Sequence, residues 1–287
     1  MSTTIQKTVA RRAPVTLPAK LSRAASNGFL VTKRNMLTLT RVPTVFIFEL
    51  VQPIMFVLLF RFIYANNIAN LPPGLDYVQF LMPGIFVQNA IFGATTTGVG
   101  LAEDMKNGII DRFRSLPMAR SAVLVGRTTF DLSKNLILVG IVLVIGYLVG
   151  FRFHNGFGNA LLMIVLVMAV GFTFSWMFAC IGLALKQLEA VQAASFTIIF
   201  PIVFVSSAFV PVVGMASFMQ VIARHNPVTY WCNLARYLAV GVPGITDPIT
   251  HVAVDSFHGL LVKSIAWIIG LLLVFVPLAI RLYRRLT

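Results

Sequence analysis

The chain has 287 residues, of which 58 % are hydrophobic and only 11 % charged, with a formal net charge of +14. A mean hydropathy of +0.87 leaves too little polar surface for a soluble domain and places the chain among α-helical membrane proteins. The basic excess sits in loops beside apolar runs, not in a soluble domain laced with aromatics, which argues against a nucleic-acid partner.

Residues 1–18 are polar and basic and are expected to form a mobile cytoplasmic tail. The first apolar run starts only after residue 43, too late for a secretory signal. In residues 19–40, Lys20, Arg23, Asn27 and Arg34 share one helical face, Leu21, Ala25, Phe29, Met36 and Leu39 another, and no acid occurs. That pattern suits an interfacial helix on an anionic leaflet; the alternative is a solvated helix with snorkelling lysines. Residues 41–287 form the membrane domain, with six expected spans at 44–64, 80–101, 132–150, 160–185, 193–213 and 262–282. Each is near the ~20 residues that cross a hydrocarbon core; the ten-residue alternating segments of a barrel do not occur. Most of the 23 Lys and Arg lie before the first span, between spans two and three, at Lys186, or at Arg281, Arg284 and Arg285. The positive-inside rule then puts both termini in the cytoplasm.

Between spans two and three, residues 103–127 read EDMKNGIIDRFRSLPMARSAVLVGR. An Asp or Arg at the bilayer centre costs ~2.5–3.5 kcal/mol, so this block is expected to be a loop. Within it Ile109, Ile110, Phe113 and Leu116 fall on one side of a short helix. Asp111, Arg112, Arg114 and Ser115 fall on the other, with Gly108 opening the helix and Pro117 closing it. Such a helix either lies on lipid or docks a partner, and the pattern leaves both open.

Residues 211–261 form an external loop with structure of its own. A short helix is expected at 215–224. Asn226 and Pro227 then supply an N-cap and a proline at the first helical position. The helix at 229–240 ends at Gly241, with Pro243 beyond. It carries Asn233 and Arg236 and is too short to span, so an external or re-entrant hairpin is expected.

Chemistry-bearing motifs are sparse. The dipeptide Gly-Lys is absent, and with it a P-loop. So are a zincin motif, a nucleophile elbow and paired carboxylates, and direct catalysis is not expected. Cys180, in a span, and Cys232, in a loop, read as two free thiols. His154, His225, His251 and His258 fall in external loops and read as solvated. Inside the spans, Glu49 and Gln52 lie one turn apart beside Pro53, and Gln88 and Asn89 lie in the second span. An ionisable group at membrane depth needs a partner or a wet cavity. Glu49 therefore reads as an interhelical hydrogen bond near the interface or as part of a substrate pathway with Gln52, Gln88 and Asn89. Gly146 and Gly150 form a G-x-x-x-G packing signal, and Pro201 interrupts span five.

Taken together, the motifs resemble the ABC type-2 export permeases, especially the daunorubicin-resistance-like branch. The carriers are the Pro53 span, MPGIFVQ at 82–88, GIIDRFRSLPMAR at 108–120, GFRFH at 150–154, AFVP at 208–211 and NPVTYWCNLARYLAVG at 226–241, in that order on a six-span chain. The resemblance implies an all-α, six-helix fold of the type V ABC exporter kind. It has an N-terminal interfacial helix, a cytoplasmic coupling helix and short external helices before the last span. It further implies a permease half that pairs with a separate ATP-binding subunit, two of each making the transporter. ATP and Mg would then belong to that subunit, with no cofactor on this chain. Gly108, Ile109, Asp111, Arg112, Phe113, Arg114, Leu116 and Pro117 would form the coupling region. The substrate path would lie at a homodimer interface lined by spans one, two and five. The function implied is export of a hydrophobic or amphipathic compound (a drug, secondary metabolite, glycan or lipid) across a bacterial-type plasma membrane. A proton-coupled secondary exporter would want several embedded carboxylates or histidines, and only Glu49 qualifies. A lipid-modifying enzyme would want the missing catalytic groups.

Overall fold

The computed structural model describes residues 43–64, 76–108, 120–241 and 256–286, and every regular element among them is helical. In chain order these are α1 (Pro43–Leu59, continued by a π-helical turn Phe60–Tyr64), α2 (Tyr77–Gly93), α3 (Thr95–Lys106), α4 (Arg120–Val149), α5 (Gly156–Leu185) and α6 (Leu188–Phe204). A 3₁₀ turn (Val212–Gly214), α7 (Ser217–His225), α8 (Pro227–Val240) and α9 (Phe257–Leu286) follow. Among the described residues, four stretches are long and apolar enough to cross a membrane: Tyr77–Lys106, Gly126–Val149, Gly156–Leu185 and Phe257–Arg285. The expected first and fifth spans appear as shorter apolar helices, α1 and α6.

The apolar stretch of α2–α3 is 72 % buried and that of α9 only 6 %. The former is the axis of the bundle, and the latter turns its apolar surface outward. α2 and α3 form one rod with a break at Ala94. There Thr95 Oγ1 donates to Phe92 O at 2.7 Å and Thr96 Oγ1 to Gly93 O at 2.8 Å, satisfying carbonyls at the break. α3 crosses α5 at Gly98 and Gly182, where a Cβ on Gly182 would lie 2.3 Å from Gly98 O. Only glycine permits that backbone approach.

Three expectations change. The block 103–127 is not a loop throughout, because α3 runs to Lys106 and α4 starts at Arg120. Its charges enter helices because they neutralise one another: Arg127 lies 3.5 Å from Asp104 across the two helices. The fifth helix stops at Phe204 instead of 213, since the side-chain amide of Asn226 caps it by donating to Ile202 O and Val205 O, both at 2.6 Å. Cys232 sits on α8, fully buried, and not in a loop. The interfacial segment 19–40, the coupling residues Ile109, Asp111, Arg112, Phe113, Arg114, Leu116 and Pro117, and His251 lie outside the described residues.

Candidate functional site

Two buried polar centres stand at opposite ends of the bundle. The first gathers the motifs quoted above. α8 begins as expected, with the Asn226 carboxamide accepting from Val228 N at 2.9 Å and Pro227 opening the helix. It ends at Gly241, whose φ of +88° is the left-handed conformation a helix terminus favours in glycine. Along it Arg236 is completely buried, and all five of its N–H groups meet neutral oxygens. Nε donates to Phe80 O at 2.7 Å; one terminal nitrogen donates to Ser207 Oγ at 2.9 Å and Asn233 Oδ1 at 2.8 Å. The other donates to Ser207 O and to Ala208 O. Its guanidinium also lies 3.6 Å from the Phe80 ring centroid. Tyr77 Oη donates to Phe209 O at 3.0 Å, and Thr229 Oγ1 accepts from Ser207 N at 3.2 Å. Gly84 lets this turn approach α2, since a Cβ there would lie 2.0 Å from Ala208 O. Phe151, fully buried, and Asn155, donating to Tyr237 O at 2.9 Å, bring the 150–154 motif onto α8 as well.

The second centre lies toward the end that carries Lys106, Lys186 and the C-terminal arginines. Lys134 on α4 is 4 % exposed and lies 3.0 Å from Glu49 Oε1 on α1 and 2.9 Å from Thr96 Oγ1. Thr96 and Thr97 both hydrogen-bond Asp131, which is fully buried on α4. Arg127 donates to Thr96 O at 3.3 Å and lies 4.0 Å from Asp131 and 3.5 Å from Asp104. A ladder of charge thus runs from α1 through α4 to the last turn of α3, just before Gly108. At φ +65° Gly108 stands directly after α3. Buried polar atoms without a hydrogen-bond partner among the described residues are more numerous here than in the first centre, where Asn233 Nδ2 is one. Here they include Glu49 Oε2, Gln88 Oε1, Asn89 Nδ2, Arg127 Nε and both side-chain polar atoms of Asn135.

Beside this ladder lies a cavity of about 410 Å³, lined by Glu49, Gln52, Asn89, Thr95 and Thr96 and walled by Phe56, Phe92, Phe196 and Phe200, with Leu138 completing it. The rings continue beyond the cavity: Phe200 stacks on Phe204 at 5.4 Å, Phe204 meets Phe209 at 5.2 Å, and Phe209 stacks on Phe60 at 4.7 Å. The aromatic column therefore leads from Glu49 to the turn held by Arg236.

Of the residues singled out from the sequence, the structure brings Glu49, Gln52 and Asn89 to this cavity. Gln88 is buried but does not line it. Asn226, Pro227 and Arg236 form the opposite centre. Sequence reasoning assigned Arg127 to the loop and passed over Asp131, just before the expected third span at 132–150, and Lys134 inside it; their spacing of four and three residues, one face of a helix, was the available signal.

The ABC-2 type transporter profile matches residues 27–240. The chain belongs to the ABC-2 type transporter family. It is 31 % identical to the daunorubicin resistance ABC transporter permease protein DrrB1 of Streptomyces coeruleorubidus, over 88 % of this chain and 84 % of the relative. It is 28 % identical to the putative transport permease ycf38 of Cyanophora paradoxa, over 73 % of each. Identity to the probable doxorubicin resistance ABC transporter permease protein DrrC of Mycobacterium tuberculosis is 27 % over 95 % of each. The chain is thus a multi-pass ABC permease subunit, and membership of this family implies an ATP-binding partner subunit.

Proposed function

We propose that this permease is the membrane half of an ATP-driven exporter carrying amphipathic, aromatic compounds outward. The observation that carries the reading is the cavity between α1, α2 and α6, where phenylalanine walls meet one carboxylate, Glu49. Aromatic walls suit an apolar ring system, and a carboxylate with a spare oxygen suits an N–H donor or positive centre. The relatives named for daunorubicin and doxorubicin resistance support a compound of that kind.

In this reading the chain crosses the membrane six times, α1 and α6 being the first and fifth spans. Both termini are cytoplasmic, and α7 and α8 form an external, re-entrant pair. Two copies assemble with two ATP-binding subunits in a bacterial-type plasma membrane. ATP and Mg are held by those subunits, and Gly108, Ile109, Asp111, Arg112, Phe113, Arg114, Leu116 and Pro117 transmit their motion. A groove of about 420 Å³ lined by Met105, Lys106, Lys186 and Glu189, at the same end as Gly108, supports docking there.

The test uses inside-out vesicles holding the chain and its ATP-binding subunit, with doxorubicin as probe. ATP-dependent accumulation is expected. Accumulation driven by a proton gradient without ATP would instead favour the secondary exporter, and no accumulation under either condition would remove the substrate assignment.

A further inference from the structure

Lys134 has a carboxylate on either side of it. Its Nζ bonds Glu49 Oε1 on α1 and Thr96 Oγ1. That hydroxyl is in turn 3.3 Å from Asp131 Oδ1, one turn back on Lys134's own helix. Glu49 Oε2 is buried without a partner among the described residues. Asp131 accepts from the Thr96 and Thr97 hydroxyls, and its cation Arg127 stands 4.0 Å away. The helix bearing Glu49 also buries few side chains within this chain. Ile47, Val51, Met55, Leu58, Leu59, Phe62 and Ile63 are exposed, and of its described side chains only Pro53 and Val57 are buried. The cavity opens along this helix, with Gln52 of α1 and Leu138 of α4 both on its wall.

We propose that Lys134 is a positioning cation with two seats. On Glu49 it ties α1 to α4 and narrows the cavity. On Asp131, reached past the Thr96 hydroxyl, it releases α1 and turns the Glu49 carboxylate to the cavity. The charge stays buried and compensated in both states, so neither carries the cost of a lone lysine. A donor group of the transported compound on Glu49 favours the second seat, because a ligand shifts an equilibrium only by binding one state better. Asp104 and Arg127 continue the ladder to the last turn of α3. The use of the device rests on the exporter reading; its existence rests on the Lys134 geometry alone.

The experiment introduces Gln52→Cys and Leu138→Cys together and measures cross-linking by a bifunctional thiol reagent in membranes, without ATP or substrate. Cys180 and Cys232 are buried and stay in place, with single-cysteine chains as controls. Glu49→Gln is expected to lower the cross-linking rate about threefold or more, because Lys134 moves to Asp131 and α1 loosens. Asp131→Asn is expected to hold the rate at or above wild type while export falls about tenfold, because Lys134 has lost its second seat. Equal losses of cross-linking in both variants, or no change in Glu49→Gln, overturn the proposal, since a merely structural pair would loosen alike from either side. Should Asp131→Asn fail to reach the membrane, Lys134→Arg serves instead. Its longer, planar fork reaches both carboxylates at once, so wild-type cross-linking with reduced export is expected, and unchanged export overturns the two-seat account. Opposite cross-linking responses in a protein that exports nothing would remove the exporter reading and leave the two seats standing.

Discussion

At one end of the bundle Arg236 places five N–H groups on five neutral oxygens drawn from α2, the turn after α6 and α8 itself. At the other end Asp131 accepts from Thr96 and Thr97 and Lys134 bonds Glu49, but buried polar atoms of Glu49, Asn89 and Asn135 have no partner among the described residues. Both centres hold charge where charge is costly, so the difference lies in how far each is satisfied: every N–H of Arg236 is met, although Asn233 Nδ2 beside it is not. A fully satisfied buried network rigidifies its surroundings, whereas a partly satisfied one leaves energy to be gained by rearrangement or by a ligand. The Arg236 centre is accordingly read as the frame, and the Glu49 centre, beside the cavity, as the proposed working part.

The largest expected effect is at the frame. Arg236→Met leaves Phe80, Ser207 and Ala208 carbonyls and the Asn233 carboxamide without their donor. A loss of about 3–5 kcal/mol follows, since several buried acceptors are left unsatisfied at about 1–3 kcal/mol each. Thermal unfolding of the purified chain in detergent measures it, and a variant as stable as wild type would refute the clasp. Next comes Gly84→Ala, which drives a methyl into Ala208 O and is expected to cost about 1–3 kcal/mol. If the unfolding midpoint does not move, the turn is not held against α2 as described. The smallest effect is at the cavity wall. Phe200 is 47 % exposed, so Phe200→Ala should leave stability within about 1 kcal/mol. Loss of one ring contact of ~0.5–1.5 kcal/mol should raise the apparent KM roughly two- to tenfold. An unchanged KM would take Phe200 off the path.

Legibility from sequence divides along the same line. The frame was readable because its parts obey local rules: Asn226 and Pro227 open α8, Gly241 closes it, and hydropathy places the helices around it. What could not be read was that Arg236 would reach Phe80, which lies 156 residues away. The working centre was half legible. Glu49, Gln52 and Asn89 stood out as polar residues inside apolar runs. Lys134 and Asp131 did not, because ionisable residues at a span's edge look like loop charges until a partner from another helix is known. α6 was drawn too long for a similar reason, its stop being set by the Asn226 side chain from beyond the next helix.

The comparison is tested most directly by Glu49→Gln, with initial ATP-driven export in reconstituted vesicles normalised to folded protein and the unfolding midpoint read in parallel. Because Lys134 falls back on Asp131 and keeps a buried counter-charge, the stability loss should stay well below the ~3–5 kcal/mol of a broken buried pair, while export falls about tenfold, or 1.4 kcal/mol of transport barrier. Export at the wild-type rate, or a loss that only tracks lost folded protein, would contradict the assignment of this centre as the working site.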